Sequence, residues 1–173
     1  MPDLEIRSER SEDAASIAAL VAAAFAEQGE NTARFVRAVR QKAEVCLAQV
    51  AVADGILVGH AQWCAAPVRV DGERVKAAYL CCLSVDPGRQ GQGIGARLVE
   101  SGLAALRAEG FHAASLLGDP GYYGRFGFSS GLGQRIRGLH RQKGPGFQAV
   151  ELVKGALAGA TVVSDFPDII APP

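Results

Sequence analysis

The 173-residue sequence lacks several features that would define a class of protein. Its 18 basic and 18 acidic side chains cancel, which removes any general electrostatic reason to expect nucleic acid or an anionic membrane as partner. No run approaches the roughly 18 consecutive apolar residues of a membrane span. The first residues also lack the basic and apolar blocks of a signal peptide. We therefore expect a cytoplasmic protein that binds neither nucleic acid nor membrane.

Cysteine and histidine are scarce, with four and three residues. The cysteines show no Cys-x-x-Cys spacing, and the adjacent pair Cys81 and Cys82 would point to opposite faces of a strand. The histidines are isolated from one another and from paired carboxylates. We expect reduced, mostly buried thiols and no metal site. The residues concerned are Cys46, Cys64, Cys81, Cys82, His60, His112 and His140.

The pattern of apolar residues predicts two helices at the start of the chain. Ser11 is a suitable N-cap for an amphipathic helix that continues to Phe25 and ends at Gly29. A second helix is predicted from about Asn31 to Ala43, with an arginine-bearing face that we expect to be solvated.

Strands follow from residue 45. Residues 46–52 and 56–64 and a hairpin around Asp71-Gly72, whose second arm continues through residues 79–85, predict an antiparallel meander. A helix at 96–109 and a strand at 113–117 then give a parallel crossover, and a last strand lies near 148–153. The expected fold is a mixed α/β sheet, antiparallel at its start and parallel at the crossover, with helices on both faces. Residues 1–155 are expected to form one domain and residues 156–173 a tail packed on or extending from it.

The chemically informative segment is Gln90-Gly91-Gln92-Gly93-Ile94-Gly95, a glycine-rich turn between a strand and a helix. Alternating glycines leave backbone N–H groups uncovered, and the amides that open a helix carry roughly half a positive charge. Such a concave array of donors suits a pyrophosphate. The alternative, a turn that only allows close packing of helix and strand, accounts less well for three glycines in this short segment.

Two other nucleotide-binding patterns compete for this turn. The phosphate loop of nucleotide triphosphatases needs Lys-Ser/Thr after the last glycine, and residues 96–97 are Ala and Arg, so it is excluded. The dinucleotide fingerprint is formally met by Gly91, Gly93 and Ala96, with Asp119 beyond them. Its fold needs several further strand-helix units, whereas a meander precedes this turn and only about 50 residues follow Asp119. The dinucleotide interpretation is the weaker one.

Three segments in register resemble the GCN5-related N-acetyltransferase family. Gln90-x-x-Gly93-x-Gly95 matches its Gln/Arg-x-x-Gly-x-Gly/Ala signature, and Leu83-Ser84-Val85-Asp86-Pro87 resembles the strand end before it. Tyr122-Tyr123-Gly124-Arg125-Phe126-Gly127-Phe128 resembles the segment after the next strand. With residues 117–120 and 151–157, the chain looks most like the YhbS-type subgroup of that family.

The resemblance implies acetyl-coenzyme A as acyl donor, with its pyrophosphate on the turn and its pantetheine arm along the preceding strand. Tyr123 matches the position of the general acid, with its neighbour Tyr122 as competitor and simple packing as the other interpretation. Where the family commonly has an asparagine, this chain has Asp119, which we expect to cap the following turn. The donor-binding residues implied are Leu83, Val85, Gln90, Gly91, Gln92, Gly93, Ile94, Gly95 and Ala96.

The function that the resemblance implies is transfer of an acetyl group to a primary amine by direct attack in a ternary complex. The alternatives are a longer-chain acyltransferase that uses acyl-coenzyme A or an acyl carrier protein, and a non-catalytic module that senses acetyl-coenzyme A. No general base is identified: the nearest groups are Glu27, Glu30, His60 and Asp86, and an ordered water would serve as well. The acceptor, a small-molecule or protein amine, carries no signature, and a homodimer stays open because dimers are the commonest closed assembly.

Overall fold

The computed structural model describes residues 4–25, 28–42, 44–138 and 144–165. Its strands are β1 (Leu4–Ser8), β2 (Val45–Ala53), β3 (Ile56–Ala65), β4 (Val68–Val70), β5 (Glu73–Val75), β6 (Ala77–Val85), β7 (Ala113–Leu117), β8 (Ile136–Arg137), β9 (Phe147–Glu151) and β10 (Val162–Ser164). Its helices are α1 (Ala14–Ala24), α2 (Gly29–Lys42), α3 (Ile94–Ala108), α4 (Pro120–Tyr123) and α5 (Ser130–Arg135). Among these described residues, no helix is long and apolar enough to cross a membrane.

The main sheet has six strands in the order β1-β2-β3-β6-β7-β9. Its neighbouring strands are antiparallel except for β6 and β7, which α3 connects as a parallel crossover. Both predicted hairpin turns have positive φ at two successive residues, 52° and 77° at Asp54 and Gly55, and 50° and 90° at Asp71 and Gly72. This is the type I′ geometry that matches the twist of the flanking strands. The predicted mixed α/β architecture is confirmed.

Helices cover both faces of this sheet. The helices α1 and α2 bury Ile17, Val21 and Val36 over β2 and β6, while α3 lies on the other face. At Gly102 a Cβ atom would lie 2.6 Å from the indole nitrogen of Trp63, so only glycine allows α3 to lie this close to β3. This close packing fixes the position of the α3 N-terminus relative to the strands.

The C-terminal part of the chain completes a second, small sheet in the order β5-β4-β10-β8. The strand β10 pairs antiparallel with β4 and parallel with β8. Leu157 is fully buried beneath it. Within residues 156–165 of the expected tail, Leu157 and Val162 are buried and β10 pairs with β4 and β8, and residues 166–173 lie outside the described part.

Two predicted helix boundaries are wrong. Ser11 does not cap α1: it opens a 3-10 turn, and the side chain of Asp13 accepts a hydrogen bond from the Arg10 amide at 2.8 Å. Gly29 does not end the first helix but begins α2. A Cβ atom at this position would lie 1.8 Å from the Ala22 carbonyl oxygen, so α1 and α2 can approach this closely only if the residue is glycine. The glycine serves the close approach of two helices, which a single-sequence pattern does not distinguish from a stop.

The hairpin arm also differs from the prediction, since β5 ends at Val75 and β6 begins at Ala77 in the other sheet. Within β6 a register shift opposite Gln62 and Trp63 makes Cys81 an extra residue. Because of this bulge, Cys81 and Cys82 both lie on the α1/α2 face: the Cys81 sulfur is 2.6 Å from that of Cys64, and Cys82 packs under those helices. The prediction that they point to opposite faces is wrong.

Candidate active site

The glycine-rich turn begins with a rigid support at the end of β6. The Asp86 carboxylate accepts a hydrogen bond from the Gly88 amide at 2.8 Å, and the Asp86 amide donates to Val58 at 2.9 Å. The Gln90 side chain donates to the Val85 carbonyl at 3.2 Å. These bonds tie the turn to β6, so the amides that follow are held in place.

The turn reaches α3 through two residues in the left-handed region. Gly91 has φ of 75° and Gly93, the N-cap of α3, has φ of 84°. A Cβ atom at either residue would meet nothing within 4 Å, so glycine is required here by backbone conformation and not by crowding. The N–H groups of the first helical turn, from Ile94 to Ala96, have no partner within the helix and carry its positive dipole end.

Tyr122 lies directly over this helix start. Its hydroxyl is 2.8 Å from the position of a Cβ atom at Gly95, so a larger residue there would displace the ring. The Arg125 guanidinium stacks 4.9 Å from the ring centre and donates to the Tyr122 carbonyl at 3.0 Å. Burial raises the pKa of Tyr122, and Arg125 opposes this.

These groups enclose an open cleft of about 410 Å³. Eight of the nine predicted donor-binding residues line it, and the exception is Gln92, whose side chain donates to the Gly88 carbonyl at 3.4 Å. The pattern did not identify three further lining residues. These are Arg89, Tyr122 and Arg125.

The cleft continues along an unpaired edge of β6. The pairing of β6 with β7 covers only Ala77 to Tyr79, although β6 continues to Val85. Leu83 and Val85 are half-buried and line the cleft with their side chains. Two parallel strands that separate in this way leave backbone hydrogen-bonding groups of β6 available to an extended ligand.

Tyr123 is on the same short helix as Tyr122 but points elsewhere. Its ring lies over Gly118, where a Cβ atom would be 2.4 Å from a ring carbon, and packs edge-on against Tyr122 and Phe128 with centroids 4.9 and 6.0 Å away. Burial raises its pKa, and the nearby Tyr122 phenol and Cys82 thiol raise it further. The phenol is thus held in the region where β6 and β7 separate.

Comparison with known proteins identifies this arrangement. Residues 5–131 match the family model described as an acetyltransferase (GNAT) domain. The chain belongs to the GCN5-related N-acetyltransferase family. It is 33% identical over 162 residues to an uncharacterized N-acetyltransferase, YhbS, of Escherichia coli strain K12, which covers 93% of this chain and 95% of the relative.

Two solved structures of the family are similar along most of the chain. The crystal structure of YhbS from Escherichia coli in complex with CoA has a TM-score of 0.84 and 30% identity, covering 98% of this chain and 92% of that chain. A GNAT family acetyltransferase from Brucella melitensis in complex with acetyl-CoA has a TM-score of 0.68 and 37% identity, covering 87% and 89%. The predicted family and fold are confirmed, and the chain is an N-acetyltransferase of this family.

The residues considered as general base in this N-acetyltransferase are engaged in other contacts. Asp86 accepts the Gly88 amide, and Glu30 is exposed and lies 3.7 Å from Arg34. Glu27, the other carboxylate considered, lies outside the described residues. Asp119 caps α4 through the Gly121 amide at 2.9 Å, as predicted. Neither Asp86 nor Glu30 lines the cleft.

His60 is part of a buried polar cluster on the opposite face of the sheet. Arg40 of α2 forms a bidentate pair with Glu9 and donates to the Gln62 amide oxygen at 2.6 Å. The His60 ring is fully buried, with Nε2 3.4 Å from a Glu9 oxygen. Burial alone would raise the pKa of Glu9, but hydrogen bonds from His60 and Arg40 outweigh it and lower the pKa to about 2. The expectation that this face of α2 is only solvated is wrong at Arg40.

Three of the four cysteines, Cys46, Cys81 and Cys82, are unsuited to nucleophilic chemistry. All four are free thiols. Burial raises the pKa of Cys46 to about 12 and that of Cys82 to about 11, and it also raises the pKa of Cys81. A thiol with so high a pKa is a poor source of thiolate at neutral pH. Among the described residues, no group of three or more potential ligands is arranged to hold a metal ion.

Proposed function

We propose that this chain transfers the acetyl group of acetyl-coenzyme A to a primary amine, and that the donor binds in the cleft between the α3 N-terminus and the open edge of β6. The observation that supports this most is the α3 N-terminus, where the amides from Ile94 to Ala96 have no partner within the helix and are reached through the left-handed glycines Gly91 and Gly93. Such amides suit a pyrophosphate, and Arg89 and Arg125 add positive charge at the rim. YhbS, crystallised with CoA, is similar over nearly the whole chain.

The proposed binding assigns each predicted residue a physical task. Gln90 holds the Val85 carbonyl and so positions the turn. The side chains of Leu83 and Val85 form an apolar wall, and the backbone around them offers hydrogen bonds to the pantetheine arm. Ile94 is buried, so its contribution to the donor is its amide. Gln92 contributes through its backbone, because its side chain turns back to Gly88.

The chemistry follows from groups that are already in place. Acetyl-coenzyme A supplies an activated thioester, which the free amine of the acceptor attacks. A backbone N–H of the unpaired part of β6 would stabilise the oxygen on which negative charge develops. Tyr123 would donate its proton to the departing thiolate, and its raised pKa keeps the phenol protonated at neutral pH.

We place this reaction in the cytoplasm, because four free thiols are typical of a reducing compartment. The acceptor is a primary amine on a small molecule or a protein. An ordered water would take the proton from the amine, since the described carboxylates considered as a base are engaged in other contacts.

The test is calorimetric titration of the purified protein with acetyl-, malonyl- and palmitoyl-coenzyme A, with NAD and ATP as controls. Micromolar binding of acetyl-coenzyme A without binding of the controls is the expected result, followed by thiol release across a panel of amines. Preference for palmitoyl-coenzyme A would instead favour a longer-chain acyltransferase. Binding without thiol release from any amine would favour a sensing module, and binding of NAD alone would overturn the proposal.

The two adjacent tyrosines, Tyr122 and Tyr123, allow a matched test of which phenol acts as the general acid. For the amine that the wild type uses best, Tyr123→Phe is expected to lower kcat by about 10² to 10⁴, the range of general acid catalysis, with donor affinity retained. Tyr122→Phe removes an equivalent hydroxyl over Gly95 and should alter donor affinity more than kcat. If Tyr122→Phe loses turnover and Tyr123→Phe does not, the acid has been assigned to the wrong residue.

A further inference from the structure

Tyr79 lies at the point where β6 and β7 separate. Tyr79 and Ser115 form the last pair of the parallel ladder, and β6 continues from Leu80 to Val85 without a partner in β7. These six residues give an open edge of about 20 Å at about 3.3 Å per residue. The Tyr79 side chain is only 3% exposed. Tyr79 is therefore a buried residue at the point where the opening between β6 and β7 begins.

This phenol is held from several sides. It belongs to the same buried cluster as Phe147, Cys64 and Leu157. A backbone hydrogen bond reaches it from Leu117, two residues beyond the last pair of the ladder, although burial dominates and raises its pKa. The Tyr79 side chain thus extends across the gap from β6 to the end of β7, where the backbone ladder has already stopped.

The direction of the cleft points the end of the donor at Tyr79. If the pyrophosphate lies on the α3 amides, as in the proposed donor site, the donor enters the opening next to Val85. An arm that follows the open edge then runs from Val85 back toward Leu80, and the Tyr123 phenol marks the position of the sulfur. The acyl group is the part of the donor beyond the sulfur, so it faces the Tyr79 end of the opening.

We propose that Tyr79 is the specificity-determining residue that limits the donor to short acyl groups. Its ring fills the space that a longer acyl chain would need between β6 and β7. Its contact with Leu117 keeps the ring from turning aside. This inference depends on the proposed donor site, and it adds the class of acyl group that the site accepts.

The test compares the affinities of CoA, acetyl-, butyryl- and hexanoyl-coenzyme A by calorimetry, which needs no knowledge of the acceptor. In the wild type, affinity should fall at least about tenfold from acetyl- to hexanoyl-coenzyme A. Tyr79→Leu shortens the side chain and should remove or reverse this fall. Tyr79→Phe keeps the ring and should keep the ratio of the wild type, with a lower melting temperature.

The outcomes separate this inference from the function on which it depends. If CoA itself fails to bind the wild type, the donor site is wrong. If CoA binds all variants and Tyr79→Leu keeps the wild-type ratio of hexanoyl- to acetyl-coenzyme A, Tyr79 does not limit the acyl group. Should Tyr79→Leu not fold, the ratio of hexanoyl- to acetyl-coenzyme A affinity is measured in Tyr79→Met, whose flexible side chain also lacks the ring. The result expected for Tyr79→Met is the one expected for Tyr79→Leu.

Discussion

Two polar regions lie on opposite faces of the main sheet and are built in opposite ways. On the α3 face, the turn from Asp86 to Ala96 is continuous in sequence, and it offers backbone amides that are not engaged within α3. On the other face, Glu9, Arg40, His60 and Gln62 come from a loop, a helix and a strand. Their side chains bind one another, and those of His60 and Gln62 are fully buried.

The difference separates the region that we propose binds the donor from a region that stabilises the fold. Unpartnered donors at a helix start gain little for the folded chain and are available to a ligand. A partly buried ion pair with its partners in place holds α2 against β3, and losing one member leaves a charge without its partner. Substitutions in the turn should therefore change affinity, and substitutions in the cluster should change stability.

The largest expected effect is in the turn. Gly93→Val should raise the Kd for CoA by about 100-fold or more, about 2.7 kcal/mol, because a side chain at φ of 84° distorts the helix start and fills the approach to its amides. Gly110→Val is the matched control, with φ of 75° and open space around its Cβ atom, but it lies at the far end of α3. Equal loss of affinity in both variants would show that the effect is general strain and not the donor site.

The next largest effect, a loss of stability, is expected in the polar cluster of Glu9, Arg40, His60 and Gln62. Glu9→Gln should lower the free energy of unfolding by about 2 kcal/mol, because Arg40 keeps its charge and loses its partner in a partly buried site. CoA affinity should stay within a few-fold of the wild type. Glu30→Gln breaks an exposed pair with Arg34 and should change stability little. Chemical denaturation of the three proteins measures the difference, and a stable Glu9→Gln variant with impaired CoA binding would invert the comparison.

Acid should remove the same stabilisation without a mutation. The pKa of Glu9 is lowered from 4.5 to about 2, and that of Asp13, bound by Arg7 and the Arg10 amide, from 3.8 to about 2. A depressed pKa stabilises the fold above the unfolded value and loses this as pH falls toward the folded value. The stability difference between wild type and Glu9→Gln should therefore shrink between about pH 4.5 and pH 2. A difference that is constant with pH would mean that Glu9 does not titrate in this way.

The smallest effect is expected at a cap near the site. Asp119→Ala should cost about 1 kcal/mol, or about 2–4 °C in Tm, because the Gly121 amide loses its acceptor. Since Asp119 opens the helix that carries both tyrosines, kcat should fall modestly as well. Asp119→Asn keeps a capping oxygen and should restore both values. A loss of CoA affinity as large as that of Gly93→Val would give Asp119 a role in binding that capping does not explain.

The turn could be predicted because its chemistry is local. Gly91 and Gly93 between a strand and a helix, with Gly95 in the first turn of that helix, specify amides without side-chain cover, and Asp119 caps the next helix within three residues. The boundaries at Ser11 and Gly29 could not be predicted in the same way. The Asp13 carboxylate competes for the first, and the proximity of α1 and α2 decides the second.

The sequence pattern could not predict the burial or orientation of side chains whose contacts lie far away in the chain. Arg40 lies in an arginine-bearing helix typical of a solvated face, and its burial follows from Glu9, which is 31 residues away. Tyr122 and Tyr123 are adjacent and chemically alike in the sequence. Only packing shows that one covers Gly95 and the other lies over Gly118.

By itself the sequence determined the mixed α/β order of elements, the glycine-rich turn and the family, because these depend on local backbone preference and on motifs in register. Tertiary structure alone decided where β6 leaves β7, which face the bulged Cys81 takes and which groups enclose the cleft. The physical reason is that strand pairing, burial and ion pairing join residues far apart in the chain. Their free energy depends on the geometry of the assembled fold, which a local pattern does not contain.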